Sequence, residues 1–416
     1  MNTRLKIIIA IIAISISGRA YTQGDTIVWH QETPFPSTPR ESCGYFLIDS
    51  NFYVVGGIDG NLNFYKEVWK YNINSNQWQQ MDTFLGGIVG ETTGFTLNGK
   101  GYICTGLFVD SFQNFSCATD FWEYTPDSDA WVRKADFPGT PREWASEFTY
   151  NNKAYFGLGD YCSNPLRDLW MYDPVNDQWT AMDSFPSSGR TSISASIVDS
   201  FAYIIGGVLF NDIWTSENWR YNISANKWEQ KKSIPGPGRS GTLNYSFGNF
   251  ILVGYGGIGY NSWDSTVLVY DSKNDSWRNV VSLNFVDAIA YGGTFQIGNI
   301  GYNWGGDYAP LPSPDYANMW SFDATPLLSY TGINTVTAGE DFKVYPNPAS
   351  YENGFSISTS ESGSVLFYDA LGRTLDERKL LDGLNQIKLT TIDEVIFYHA
   401  ILSSGAAENG KMVFIR

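Results

Sequence analysis

The chain has 416 residues, of which 16% are aromatic and 41 are glycine, and it carries a formal net charge of −16. A surface of this charge repels phosphate backbones, which excludes nucleic acid as an expected partner. The two histidines, His30 and His399, are too few for a histidine-rich metal site, and we predict no cofactor and no metal. Aromatic and glycine enrichment without long helical runs predicts an all-β protein.

The N-terminus begins with Arg4 and Lys6, followed by an apolar run over residues 7–16 and small residues up to Ala20. A basic start, a short apolar run and a small-residue exit are the three parts of a secretory signal peptide. The run is too short to span a bilayer. We therefore predict that residues 1–20 are a signal peptide and that the mature chain has no transmembrane segment.

Four cysteines lie in the predicted mature chain, and none has the CxxC spacing of zinc or redox sites. In an oxidising compartment they could form two disulfides, with three possible connectivities. Buried free thiols are an equally good interpretation of the same residues, which are Cys43, Cys104, Cys117 and Cys162.

A repeat with a period of about 50 residues fills most of the chain. In five segments a tyrosine is followed seven residues later by a tryptophan, and a glycine pair or near-pair precedes each segment. The residues between tyrosine and tryptophan are rich in Asn and Asp, which predicts hairpin turns with local side-chain hydrogen bonds. The five pairs are Tyr71–Trp78, Tyr124–Trp131, Tyr172–Trp179, Tyr221–Trp228 and Tyr270–Trp277.

This pattern resembles the Kelch repeat, in which each unit is one four-stranded blade of a β-propeller. The resemblance covers roughly residues 25–330 and implies a propeller domain over residues 21–330. The sixth unit lacks its closing tryptophan, whereas Trp29 lies one period before Trp78. We therefore expect six blades, closed by pairing of the N-terminal strand with the last blade, which removes the free sheet edge.

The repeat stops after Tyr330, and a polar linker at residues 331–341 leads to a different domain at residues 342–416. Alternating runs with frequent turn signals predict a small Ig-like β-sandwich there. Its order of motifs is similar to the type A C-terminal sorting domain of bacterial type IX secretion. That resemblance implies the type IX secretion machinery as a partner, and a secreted or outer-membrane-surface location in a Gram-negative bacterium. It assigns the sorting signal to Pro346, Asn347, Pro348, Gly372, Arg373, Gly383 and Lys411.

Ligands of propellers are expected at the mouth of the central channel. An arginine recurs at a fixed position in several units, and a ring of arginines would suit a carboxylate or a sugar acid. The alternative is that these arginines bond backbone carbonyls between blades. Aromatic residues beside carboxylates in the third and sixth units suit carbohydrate stacking, or else ordinary core packing. The candidate ligand residues are Arg40, Arg142, Arg190, Arg239, Trp144, Asp160, Trp304 and Asp307.

Two hypotheses for function follow, and the first is favoured. The first is a secreted or cell-surface module that binds a glycan or a protein. The second is a carbohydrate-active enzyme, because some bacterial six-bladed Kelch proteins act on sialic acid as mutarotases. Mutarotation needs only an acid and a base that flank the sugar ring, but no spacing singles out such a pair of carboxylates. A related copper oxidase is disfavoured by the scarcity of histidine, and the fold alone does not decide between binding and catalysis.

Overall fold

The computed structural model describes most of the chain from residue 26 onward. It forms two compact units, one of Asp25–Ser329 and one that contains Tyr330–Arg416. The predicted signal peptide and linker, with Cys162, Gly372 and Arg373, lie outside the described residues. The described residues are 26–110, 114–161, 163–260, 262–283, 289–308, 317–328, 343–350, 354–368, 374–389, 395–403 and 407–415.

The first unit begins with β1 (Thr26–Gln31) and continues in groups of strands that follow the sequence repeat. Group 1 comprises β2 (Gly44–Ile48), β3 (Asn51–Val55), β4 (Val68–Asn72) and β5 (Gln77–Gln80). Group 2 comprises β6 (Ile88–Gly90), β7 (Thr93–Leu97), β8 (Lys100–Val109), β9 (Phe115–Thr125), a 3-10 turn at Pro126–Ser128, and β10 (Ala130–Arg133). Group 3 comprises β11 (Ser146–Tyr150), β12 (Lys153–Gly157), β13 (Asp160–Tyr161), β14 (Asn164–Pro165), β15 (Leu169–Asp173) and β16 (Gln178–Ala181).

The second half of this unit repeats the plan. Group 4 comprises β17 (Ser194–Val198), β18 (Phe201–Ile205), β19 (Val208–Leu209), β20 (Ile213–Trp214), β21 (Asn218–Asn222) and β22 (Lys227–Lys231). Group 5 comprises β23 (Leu243–Phe247), β24 (Phe250–Gly254), β25 (Gly257–Gly259), β26 (Ser262–Trp263), β27 (Val267–Asp271) and β28 (Ser276–Leu283). Group 6 comprises β29 (Ile289–Ala290), β30 (Gly293–Ile297), β31 (Ile300–Trp304), β32 (Asp307–Tyr308), β33 (Met319–Asp323) and the helix α1 (Thr325–Leu328).

The main strands of each group form an antiparallel meander in chain order. The meanders are β2-β3-β4-β5, β7-β8-β9-β10, β11-β12-β15-β16, β17-β18-β21-β22 and β23-β24-β27-β28. In group 6 the meander β30-β31-β33 is completed by β1, where Trp29 pairs with Phe322. The first residues of β1 also pair in parallel with β28, with Thr26 opposite Val281. The predicted pairing of the N-terminal strand with the last sheet is therefore present.

The recurring tyrosine, Asx turn and tryptophan join groups 1, 3, 4 and 5 to the group that precedes each of them. The Tyr71 hydroxyl donates to Asn76 Oδ1 (2.8 Å), and the backbone N–H of Thr33 donates to the same oxygen (3.0 Å). The Trp78 indole N–H donates to the Thr33 carbonyl (3.0 Å). Asn76 adopts a left-handed φ of 54°, which Asn tolerates better than most residues. The same bonds recur at Tyr172–Asp177–Trp179, Tyr221–Asn226–Trp228 and Tyr270–Asp275–Trp277.

Neighbouring groups pack through aromatic side chains, and the last group contacts the first. Phe46 of group 1 lies 5.7 Å from Tyr124 of group 2, measured between ring centroids. A Cβ at Gly101 would come within 2.2 Å of the Phe46 ring, so this position has room only for glycine. Phe52 of group 1 stacks on Phe295 of group 6 with centroids 4.1 Å apart. The core therefore runs between successive sheets, including the last and the first.

The second unit is all-β in its described residues. Its strands are β34 (Lys343–Ser350), β35 (Gly354–Thr359), β36 (Gly363–Tyr368), β37 (Thr374–Leu380), β38 (Gly383–Ile387), β39 (Val395–Leu402) and β40 (Ala407–Ile415), in the order β37-β36-β39-β40-β34-β35-β38. Phe355, Phe367 and Ile396 are buried in its core. Pro346, Asn347 and Pro348 lie in β34, Gly383 opens β38 with a φ of 98°, and Lys411 lies in β40. The Ig-like sandwich stays a prediction.

The all-β prediction is confirmed by the described residues of both units. Helical structure in them is limited to the 3-10 turn and the four-residue α1. Across the same ranges, no helix has the length and apolar character that crossing a bilayer requires.

Candidate functional site

One residue just before the innermost strand of each group adopts a left-handed backbone conformation. We call these six residues the mouth ring: Ser42, Glu91, Trp144, Ser192, Gly241 and Tyr291, with φ between 52° and 60°. Backbone hydrogen bonds link neighbouring members, for example from the Glu91 N–H to the Ser42 carbonyl (2.7 Å) and from the Tyr291 N–H to the Gly241 carbonyl (2.9 Å). Left-handed φ is rare for bulky residues such as Trp and Tyr, and such strain collects at functional sites.

A second layer lies three residues further along each innermost strand. We call it the inner ring: Tyr45, Gly94, Glu147, Ala195, Asn244 and Thr294. The mouth ring and the inner ring together line a cavity of about 210 Å³. Every group contributes one residue to each ring, so the cavity lies on the axis about which the groups are arranged. This central position makes it the candidate ligand site.

A cluster of carboxyl groups lies at the mouth ring beside the third group. Burial, a side-chain hydrogen bond to Glu143 and the charge of Glu143 raise the pKa of Glu91 to about 9. Burial and the charge of Glu143 raise the pKa of Asp160 to about 6. Two backbone hydrogen bonds of 3.0 Å hold Glu143 and Asp160 side by side. Glu91 therefore holds its proton more strongly than an ordinary carboxyl group.

Glu147 is the carboxyl group of the inner ring. It is partly accessible from the cavity but surrounded by protein, and burial raises its pKa to about 8. Burial, and then the charge of Glu147, raise the pKa of Tyr45. Among the described residues that line the cavity there is no Lys, Arg or His. At neutral pH the cavity thus offers hydrogen-bonding groups that are mostly uncharged, and no cation to balance an acidic ligand.

Two aromatic rings meet at the mouth ring from groups 3 and 6. The centroids of Trp144 and Tyr291 are 5.4 Å apart, with the ring planes inclined at 57°. The Tyr291 hydroxyl lies 3.3 Å from Ser240 Oγ. A Cβ at Gly241 would lie 2.6 Å from the Tyr291 ring, so glycine at that mouth-ring position makes room for the tyrosine. The cavity therefore has an aromatic wall beside its carboxyl groups.

The four predicted arginines lie in the groups' interiors, with side chains 0–1% exposed. Arg142 donates to both oxygens of Asp168 (2.7 Å each) and to the Leu158 carbonyl (2.9 Å), and it lies over the Phe137 ring. All of these partners belong to the arginine's own repeat. The alternative given in the sequence analysis, that the arginines bond backbone carbonyls, is therefore met within one repeat and not between blades. The other three pair in the same way: Arg40 with Glu67, Arg190 with Glu217 and Arg239 with Asp264. This placement favours a structural role.

Of the other predicted residues, Trp144 and Asp160 lie at the mouth ring, and Trp304 does not. Trp304 was a candidate ligand residue with core packing as the alternative, and it follows that alternative, because it is 1% exposed and packs against Phe35 and Phe52 in the core between groups 6 and 1. Asp307 lies in β32, where its backbone pairs with Ala290.

Sequence reasoning did not single out several residues that line the cavity. The signal was present, because each of the first five mouth-ring residues lies thirteen positions after the outer-strand tryptophan of the preceding repeat, and Tyr291 lies fourteen after it. Comparing the repeats at that offset would have shown Ser, Glu, Trp, Ser, Gly and Tyr, a variable position within a regular frame. The residues missed are Glu91, Glu147, Asn244 and Tyr291.

The cysteines take different positions around the site. Cys43 and Cys104 are buried free thiols, and burial raises the pKa of Cys43 to about 12. Cys117 Sγ lies 3.8 Å from a carboxylate oxygen of Glu143. No cluster of three or more His, Cys, Asp or Glu side chains suited to a metal ion occurs in the part of the chain that the structure describes.

Comparison with known proteins defines the class. Residues 26–207 match the family model of the KLHDC2/KLHL20/DRC7 Kelch-repeats domain. The solved structure of YjhT matches this chain with a TM-score of 0.57 at 16% identity, over 67% of this chain and 93% of that one. At that identity the likeness concerns the fold alone. The predicted Kelch repeat is confirmed over residues 26–207, and the described strands of the first unit fit a Kelch-type propeller fold.

Curated relatives match a shorter stretch. The N-acetylneuraminate epimerase of Shigella flexneri serotype 5b (strain 8401) is 32% identical over 113 residues, and the protein of the same name from Escherichia coli (strain K12) is 31% identical over 113 residues. These matches cover 25% of this chain and 30% of the relatives' own length.

Proposed function

We propose that this protein binds a neutral sugar in the cavity between its mouth ring and inner ring. The observation that carries the proposal is the lining itself, in which carboxyl groups with raised pKa values lie beside the Trp144–Tyr291 pair without a cationic residue. Protonated carboxyls and the Asn244 amide can donate to and accept from hydroxyl groups. Aromatic faces supply apolar contact to a ligand with a polar rim.

The lining also bears on the charge of the ligand. The relatives are named for N-acetylneuraminate, which is a sugar acid, and a carboxylate ligand is best held by arginine. The four buried arginines of this chain are already paired with internal carboxylates. A carboxylate in the cavity would meet no cation among the described lining residues and would lie beside the charge that the Glu91–Glu143 pair retains, which is electrostatically unfavourable. We therefore assign the site to neutral sugars.

Titration of the purified mature chain with neutral monosaccharides and with N-acetylneuraminate tests this proposal. Glucose, galactose, mannose and N-acetylglucosamine are suitable probes, and we expect at least one to bind more than tenfold tighter than N-acetylneuraminate. Trp144→Ala should weaken that binding at least tenfold, because it removes the aromatic wall. Val175→Ala, on a turn where the side chain is 85% exposed, is the control and should bind normally. Tight N-acetylneuraminate binding without neutral-sugar binding would overturn the assignment.

The pH dependence of binding separates the role of Glu147 from general packing. Below pH 8 its carboxyl is mostly protonated and can donate a hydrogen bond, and above pH 8 it becomes a buried charge. Affinity should therefore fall between pH 7 and pH 9.5 in the parent protein. Glu147→Gln stays uncharged and should lose the part of that fall centred near pH 8, so that only the fall centred near pH 9, which comes from Glu91, remains. If the affinity of the Gln variant falls with pH in the same way as that of the parent, Glu147 does not contact the sugar.

Interconversion of sugar anomers is a second candidate function, favoured by the Glu91–Glu143 pair. The raised pKa of Glu91 keeps a proton donor in the cavity lining, and Glu143 beside it is a second carboxyl group near the same site, so the pair could supply proton transfer to a bound sugar. NMR exchange spectroscopy on the same protein–sugar samples measures the rate at which the anomers interconvert. An interconversion rate above the uncatalysed rate, which Glu91→Gln returns to the uncatalysed value, would support catalysis. If the sugar binds but its anomers interconvert at the uncatalysed rate, the protein binds the sugar without catalysing this reaction.

We further propose that the six groups are six blades closed into a ring.

We also propose that the protein is exported by type IX secretion to the surface or the medium of a Gram-negative cell. The signal-peptide pattern and the tail's motif order support export. Deleting residues 342–416 in a bacterium with this secretion system should leave the propeller in the periplasm. Continued appearance of the truncated protein outside the cell, detected by fractionation and immunoblot, would refute the sorting role of the tail.

A further inference from the structure

Short hairpins surround the mouth ring on the side where each innermost strand begins. In groups 3, 4 and 5 the residue after the arginine forms a β-bridge with the start of the hairpin, as between Ser240 and Gly257. The hairpin of group 4 is β19–β20 and that of group 5 is β25–β26. These hairpins therefore rise next to the mouth of the cavity, where a ligand too long for the cavity would extend.

A continuous track of side chains leads from the cavity to the hairpins of groups 4 and 5. Tyr291, already in contact with Trp144, lies 3.3 Å by its hydroxyl from Ser240 Oγ. The Trp214 indole N–H donates to the same Ser240 oxygen (3.1 Å). The rings of Trp214 and Tyr260 then meet edge to face with centroids 5.7 Å apart. Two pairs of aromatic rings, joined through the Ser240 hydroxyl, thus lead from the mouth ring outward.

The outer end of this track is exposed and its polar groups are already fixed. Tyr260 is 74% exposed, and its hydroxyl donates to Asp212. Trp214 is held by its bond to Ser240, which is itself buried. The hydrogen bonds fix the orientation of both rings, so that an incoming ligand need not order them. Rigid aromatic faces with polar edges provide contact area at a low entropic cost.

We propose that the Trp214–Tyr260 track is an extended saccharide subsite, so that the ligand is the end of a neutral oligosaccharide whose terminal sugar occupies the cavity. This inference rests on the proposed function of the cavity. The track is continuous with that cavity and alternates ring faces with exposed polar groups, which are the Tyr260 hydroxyl and the Asp212 carboxylate. Such alternation matches a chain of sugars, each of which has apolar ring faces and a hydroxyl rim.

A length series tests the subsite. The probes are glucose with its α-1,4- and β-1,4-linked oligomers, and N-acetylglucosamine with its β-1,4-linked oligomers, each up to the hexamer. We expect affinity to rise at least tenfold from monomer to oligomer in one series. Tyr260→Ala and Trp214→Ala should remove that gain and leave the monosaccharide affinity unchanged. Phe115→Ala is the matched control, since Phe115 is 56% exposed at the hairpin of group 2 and lies off the track.

Each outcome has a distinct meaning. Equal affinity along every series, or a length gain that survives Tyr260→Ala, overturns the subsite and leaves the cavity proposal intact. If Phe115→Ala removes the increase of affinity with oligomer length, the subsite lies elsewhere and this assignment is likewise overturned. Oligomer binding that depends on Tyr260 but not on Trp144 or Glu147 overturns the cavity proposal instead. Because Tyr260 is exposed, its variant should fold normally, which a thermal melt checks before any titration.

Discussion

Replacing Trp29 by alanine is expected to lower the free energy of unfolding of the propeller unit by about 3–5 kcal/mol. The side chain is 2% exposed, its indole N–H donates to Ser282 Oγ (2.9 Å), and its ring lies 4.5 Å from that of Phe322. The substitution removes a large buried ring at the point where β1 joins groups 5 and 6. Denaturant unfolding followed by tryptophan fluorescence and by far-UV circular dichroism measures the change.

Two further variants show whether this loss reflects ring closure. Trp228→Ala removes a less buried tryptophan of group 4, in an outer strand that does not pair with β1, and should cost less. Deletion of residues 26–31 leaves an edge of β33 unpaired, and an open edge promotes association with other chains. The truncated protein should therefore elute as oligomers in size-exclusion chromatography. A monomer as stable as the parent would contradict closure through β1.

The regular parts of this fold could be predicted from the sequence because they repeat. The turn residues between Tyr71 and Trp78 predicted a hairpin with side-chain hydrogen bonds, and the pairing of β4 with β5 and the bond from the Ser75 N–H to Asn72 Oδ1 (2.9 Å) confirm it. The position of Trp29 one period before Trp78 predicted the pairing of β1 with the last sheet. The first inference used the composition of the turn and the second used spacing, and the repeat preserves both.

The candidate site could be predicted only in part, because spacing does not show which way a side chain points. Arg142 and Trp144 are two residues apart, yet the arginine is turned into its own group and the tryptophan faces the cavity. The left-handed backbone of the mouth-ring residue turns its side chain in another direction from that of the arginine. Trp and Glu rarely adopt this conformation, so the residue type does not predict it. The sequence did not decide between stacking and core packing for Trp304, because the aromatic partners that bury it, Phe35 and Phe52, come from the opposite end of the repeat region.

Arg142→Ala should destabilise the propeller unit by about 3 kcal/mol, at the low end of the range for breaking a buried ion pair. The change leaves Asp168 and the Leu158 carbonyl without their donor, although the Asp168 side chain is 32% exposed and keeps some water. Burial opposes ionisation of Asp168, but the hydrogen bonds and charge of Arg142 hold its pKa below the usual value. A lowered pKa stabilises the fold above about pH 4, and this contribution is lost as the pH falls through the folded-state pKa. The difference between parent and variant should therefore be larger at pH 7 than at pH 3.5.

Arg133→Ala provides the matched control for that prediction, because Arg133 also contacts two carboxylates, Asp120 (2.8 Å) and Asp136 (3.0 Å). Its side chain is 49% exposed, and exposed ion pairs contribute about 0–1 kcal/mol. The pair of variants also separates the two roles considered for the arginines. A structural Arg142 predicts lost stability with sugar affinity retained in the folded fraction. An Arg142 variant with parental stability and no sugar binding would return the arginine to the ligand site and refute its role in packing.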